Sequence, residues 1–298
     1  MYLNPIVKKE VKVQSRSMKL CLSFLGYELI LTLVSFFVMF LIDAESRYSD
    51  TNVYSQLTNL YPVLGVAQII ILGIIVPVQT ASSISGEKER QTFDIMMTTS
   101  MTPFSVIMGK VMTAVMESMF FVAGSLPIMS LVFVIGGMSW AYLFWFFGVA
   151  MLATIFAASI GIFCSAVCRK TISAVIMTYA WYILFFVGTF APAYLVAIAW
   201  GVMTSRTGPS NADWIMNLFT LLLVNPAVYL AEFFTRVSTG RGIISELGDG
   251  ISNQGFNIIS LLSNGYWWLI VSTIMLLLVS LLFLWVASRI INPMKKRK

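Results

Sequence analysis

The chain has 298 residues, of which 58% are hydrophobic and only 11% charged, with a formal net charge of +6 and a mean hydropathy of +0.87. Soluble domains carry about 25% charged residues, so this composition excludes a water-facing globule and leaves an integral membrane protein. The absence of histidine removes the commonest catalytic base and metal ligand and excludes a histidine-dependent zinc hydrolase.

Residues 1–19 form the first element. At about 100° per residue, Lys8, Lys12, Arg16 and Lys19 fall on one stripe, with Lys9 beside it and Val7, Val11 and Met18 opposite. A basic face opposite an apolar face predicts an interfacial amphipathic helix over 5–20, held at the membrane surface by anionic lipid. The simpler alternative is a basic tail that only sets topology. These charges extend beyond the n-region of a signal peptide, so no cleaved leader is expected.

Apolar runs of spanning length then follow at 20–42, 59–82, 106–136, 140–166, 172–200 and 266–288. The first contains Glu28, and the third contains Lys110 and Glu117. Ionisable groups inside a bilayer are costly and point to function by default. Glu28 and Glu117 are therefore candidates for lining a substrate path or pairing where subunits meet. The competing reading is snorkelling to the interface, or pairing with a nearby hydroxyl or basic group.

Between the second and third runs, residues 83–105 read as a short amphipathic helix. Gly86 suits an N-cap with Glu89 at the third helical position, and acidic residues suit a helix start. Phe93, Met96 and Met97 make an i, i+3, i+4 apolar face. Thr102-Pro103 reads as the N-cap and first residue of the next helix. Such a face fits a groove on another protein, or rests on lipid.

In the fourth run, Ala153, Ala157, Gly161 and Ser165 recur every fourth position, a small-residue face that admits close helix packing. Cys164 and Cys168 share a face without histidine or carboxylates nearby, and read as two small thiols rather than a metal site. Residues 214–234 are apolar but are interrupted by Asn225-Pro226 and carry Glu232. Each half is about 15 Å of helix, half a bilayer core. A re-entrant or interfacial helical segment is expected there, within an external segment 201–265.

Charge placement sets the count and the orientation. With six spans, 15 of the 19 Lys and Arg residues fall on the side of both termini and of the 83–105 and 167–171 loops. The positive-inside rule puts that side, and both termini, in the cytoplasm. A seventh span at 214–234 would send Lys295, Lys296, Arg297 and Lys298 outside.

The run Ile84-Ser85-Gly86-Glu87-Lys88-Glu89-Arg90-Gln91-Thr92-Phe93-Asp94-Ile95-Met96, followed by Met101-Thr102-Pro103 and Gly109-Lys110, resembles the signature of type-2 ATP-binding-cassette (ABC) exporter permeases. Asn4-Pro5 and the basic start before the first span are similar too, as is Asn225-Pro226 before the last. Gln91 stands where that family frequently has glycine. The resemblance implies a single transmembrane permease domain over 1–298 that is not an enzyme by itself. It would export a substrate across the cytoplasmic membrane on ATP hydrolysed by a separate subunit. The 83–105 loop would be a cytoplasmic coupling helix, with Glu87, Glu89, Arg90, Phe93 and Met97 contacting the ATPase. A second copy, or a homologous permease, would complete the path. ATP and Mg would lie on the partner: Gly109-Lys110 is followed by Val111 and lacks the upstream glycine of a P-loop. No cofactor, metal or nucleic-acid partner is expected on this chain.

The full expectation is an all-α membrane protein. It has six transmembrane helices, an N-terminal interfacial amphipathic helix, a coupling helix between spans two and three, and an external re-entrant or interfacial segment before span six. The alternative from another class is an ion-coupled secondary transporter, which would show paired broken spans; Pro127 breaks the third run without a visible counterpart. A membrane-embedded enzyme lacks a nucleophile motif and clustered acids.

Overall fold

Every described element of the chain is a helix, and no strand occurs among the described residues. The structure is a computed structural model that describes residues 5–46, 60–93, 102–136, 139–192, 195, 198, 217–244 and 265–291. Six helices are long and apolar enough to cross a membrane: Met18–Ala44, Leu60–Glu89, Pro103–Gly124, Ala141–Val167, Thr171–Pro192 and Trp267–Ile291. These are the first to sixth spans below. Only helices and closed barrels satisfy their backbone inside a bilayer, and a continuous apolar run of this length fits the helix.

The chain divides into two compact units, Met1–Tyr179 with Val279–Lys298, and Ala180–Leu278. In the first unit, the second and fourth spans make the most extensive helix pair. The small-residue face is what brings them together. A Cβ added at Gly161 would meet Thr80 Oγ1 at 2.0 Å, and Ser165 Oγ accepts from the Ile84 and Ser85 backbone N–H groups at 2.9 and 2.8 Å. That face therefore packs within the chain. An apolar core of Ile84, Ile107, Val111, Ile162, Leu284 and Ala287 joins the second, third, fourth and sixth spans.

Two expectations are corrected here, and the break expected at Pro127 takes its bounds. The N-terminal helix is Pro5–Gln14 and ends before the first span begins. Ser15 Oγ bonds back to the Lys12 carbonyl at 3.2 Å, and Ser17 Oγ accepts from Lys19 N at 3.3 Å to start the next helix. Two serines offering local partners to the backbone break one helix into two. Arg16 thus lies in the turn and Lys19 in the first span, so the four basic residues do not share one helical stripe.

The third run is likewise two helices, Pro103–Gly124 and Leu126–Gly136, joined at Ser125. Pro127 has no N–H to donate and its ring opposes the carbonyl four residues earlier, which ends the first helix. Gly86, finally, is no N-cap: the second span runs unbroken to Glu89. It closes on a Schellman motif in which Thr92 N donates to Glu87 O at 3.0 Å and Gln91 N to Lys88 O at 3.2 Å. The left-handed position falls on Gln91, with φ 58°.

The second unit contains the 3-10 helix Asn217–Val224 and the helix Pro226–Thr239, separated at Asn225. The Asn225 carbonyl oxygen accepts from Ala227 N at 2.7 Å and its amide donates to Thr189 Oγ1 at 2.6 Å. Proline at the first helical position and a positive-φ Gly240 at the end bound the second helix. Glu232 is buried and accepts from Arg236 Nε at 2.6 Å and Ile244 N at 3.0 Å. Residues 201–216 and 245–264 of the expected external segment lie outside the described residues.

Candidate functional site

The charged end of the first unit is built around the last turn of the second span. Successive helical residues diverge by about 100°, so Glu87, Lys88 and Glu89 point three ways, and each finds a different partner element. Glu87 Oε1 is 3.0 Å from Lys110 Nζ in the third span. Lys88 donates to the carbonyls of Ser165 and Cys168, both at 3.3 Å, and of Ala166, at the C-terminal end of the fourth span. Glu89 Oε2 accepts from Thr171 Oγ1 at 2.5 Å and Thr171 N at 3.4 Å, at the first residue of the fifth span.

The chemistry of each link suits its helix end. A C-terminus exposes unpaired carbonyls and partial negative charge, which the Lys88 ammonium meets; an N-terminus exposes free N–H groups, which the Glu89 carboxylate meets. Lys110 is the only one of these cations that is deeply buried, with 3% of its side chain exposed. Its three donors are matched by Glu87, Glu10 Oε1 of the N-terminal helix at 3.0 Å, and the Ser83 carbonyl at 2.9 Å. A buried ammonium with every N–H satisfied, and two carboxylates at a quarter to a third exposure, is the arrangement in which a buried charge is tolerated.

Of the expected docking residues, Arg90 is exposed, while Glu87, Glu89 and Phe93 make contacts within the chain. Phe93 packs against the apolar core, with the Lys88 ammonium 5.7 Å from its ring centroid. Met97 lies outside the described residues. On the N-terminal helix, Lys8 and Lys12 are exposed and Val7 is buried. Thr102 caps the third span by accepting from Ser105 N at 3.3 Å, with Pro103 first in the helix.

The two intramembrane acids sit at different depths. Glu28 packs on Gly124 at the break in the third span, so close that a Cβ there would lie 2.8 Å from its Oε1. Beside it, Gln68 Nε2 donates to Ser125 Oγ at 2.6 Å. The buried Tyr27 hydroxyl lies near both without a well-formed hydrogen bond. Glu117 accepts from Gln79 Nε2 at 2.7 Å. Sequence reasoning missed the joint role of Glu10, Lys88, Lys110 and Thr171. The available signal was a lone lysine inside an apolar span, which must find carboxylates from elsewhere.

A family model described as ABC-2 family transporter protein matches residues 41–289. The chain belongs to the ABC-2 transporter family. An ABC-2 protein with six helices of spanning length is a multi-pass membrane subunit of an ABC transporter, a class generally not enzymatic on its own. The match takes in the Glu87–Lys88–Glu89 turn and the second to fifth spans whole, with the last residues of the first span and nearly all of the sixth. The N-terminal helix lies before it and reaches the matched region through, among other contacts, the Glu10–Lys110 ion pair. No curated protein matches the chain.

Proposed function

We propose that this ABC-2 subunit is the permease of an exporter driven by a separate ATPase, which grips the chain at residues 87–97 on the cytoplasmic side. One observation carries the reading: Glu87, Lys88 and Glu89 link the last turn of the second span directly to the third, fourth and fifth spans. A displacement applied at Arg90 and the residues after it therefore loads several helices at once, as an element that couples a motor to a membrane path must.

Because Glu87, Glu89 and Phe93 are engaged internally, they hold the loop in place. Direct contact with the motor then falls to Arg90 and to the stretch that includes Met97. ATP and Mg belong to the partner, and two permeases, identical or homologous, pair above two ATPases. Lys8 and Lys12 face the anionic membrane surface, with both termini in the cytoplasm.

The test is co-expression with the ABC ATPase of the same host. Arg90→Glu should cut copurification of the ATPase at least fivefold and abolish substrate-stimulated ATP hydrolysis, with the permease itself still monodisperse. Undiminished hydrolysis in that variant, or labelling of a cysteine at Thr92 only from outside intact cells, would overturn the assignment.

A further inference from the structure

A cavity of about 300 Å³ lies between the N-terminal helix, the start of the first span and the third span, lined by Val11, Ser15, Leu20, Met116, Glu117 and Phe120. Thr113 also lines it, with its hydroxyl donated to the Gly109 carbonyl at 2.9 Å; apart from Ser15, Thr113 and Glu117 the walls are apolar. Glu117 is 8% exposed, and while Oε1 takes the Gln79 hydrogen bond, Oε2 has no hydrogen-bond partner among the described residues.

Among the described residues, no cation is paired with this carboxylate. Lys110, seven residues earlier on the same helix, is about 10 Å along the axis, and its ammonium is matched to Glu10, Glu87 and the Ser83 carbonyl. Lys12, Arg16 and Lys19, on the segments that form the other wall, are exposed, where water and salt screen them. Glu28, the remaining acid, packs at Gly124, seven residues further along the third span. The site is thus an apolar cleft with one carboxylate that lacks a counter-charge, in a medium where an unpaired charge is costly.

We propose that this cavity binds a primary-amine amphiphile drawn from the bilayer, with the ammonium on Glu117 and the alkyl chain along Val11, Leu20, Met116 and Phe120. An ammonium brings the missing charge and three donors, and the terminal torsion of a glutamate is broad enough for its carboxylate to turn toward an incoming donor. An anionic amphiphile meets repulsion here, and a neutral one leaves the carboxylate uncompensated. The proposal requires no ATPase and stands apart from the exporter reading: binding can fail with motor coupling intact, and the reverse.

The experiment is equilibrium binding to the full chain in nanodiscs of neutral phosphatidylcholine, with empty nanodiscs subtracted, using tetradecylamine, tetradecanol and tetradecyl sulfate. The amine should bind saturably and at least tenfold more tightly than either analogue, and Glu117→Gln should lose that tenfold preference. Ser15→Phe, at an exposed position, fills the cavity from the opposite wall and should abolish saturable binding while Glu117 stays intact. Equal affinity for amine and alcohol would mean a lipid-tail cleft and overturn the proposal. So would amine binding unchanged in Ser15→Phe, which also decides the matter if Glu117→Gln fails to fold.

Discussion

Lys110 Nζ and Glu87 Oε1 meet at 3.0 Å, although 23 residues and an entire loop separate them. The pair closes the exit of the second span onto the entry of the third, and Glu10 joins it from the N-terminal helix. A lysine inside a span would otherwise snorkel to the interface. Here the carboxylates come to it, and the loop between them is anchored at both ends.

Lys110→Met should destabilise the protein by about 1–3 kcal/mol, because it strands two carboxylates that keep partial access to water. Glu87→Gln should cost less, since Lys110 retains Glu10. The double variant should fall short of the sum of the two, as expected for groups in one network. Thermal unfolding in detergent measures all three; strict additivity would show that the pair does not act as a unit.

Gln91 occupies a left-handed backbone position, φ 58°, that costs a non-glycine residue about 1–2 kcal/mol. Gln91→Gly should raise stability by roughly 0.5–1 kcal/mol after the greater chain entropy of glycine is deducted. Gln91→Val should lower it, because a branched Cβ tolerates this region least. If Gln91→Gly melts earlier than the wild type, the turn is not held in this conformation.

Gly161→Ala should push the second and fourth spans apart, since the new Cβ would overlap Thr80 Oγ1 and also lie 2.9 Å from Thr80 Cβ. A loss of about 1–3 kcal/mol is expected for such overpacking. Thr80→Ala, which removes the oxygen but leaves Cβ, should restore part of that loss in the double variant. An alanine tolerated in the wild-type background would place this helix contact further apart than described.

Much of the architecture was legible from residue order because the bilayer imposes its own rules on local sequence. A run of about twenty apolar residues has one way to satisfy its backbone in lipid, and Thr102-Pro103 starts a helix in any context because the cap and the fixed proline φ act over a few residues. Asn225-Pro226 divides two short helices for the same reason. Local signals also misled where two competed. The acidic residues after Gly86 read as a helix start, yet the second span continued through them, because its apolar run was already a formed helix and extension adds a bond per residue while a new start does not.

The sequence by itself determined a six-span helical membrane protein and the signature that marks its family. Tertiary structure alone decided where each charge goes. Glu87, Lys88 and Glu89 are adjacent in the chain, but which helix each meets depends on how the spans pack around that turn. Among the described residues, Glu117 keeps an oxygen without a hydrogen-bond partner beside a cavity that Val11, Ser15 and Leu20 close from segments about a hundred residues earlier in the chain. Pairing of charges is a property of distance in space, and hydropathy carries no information about it.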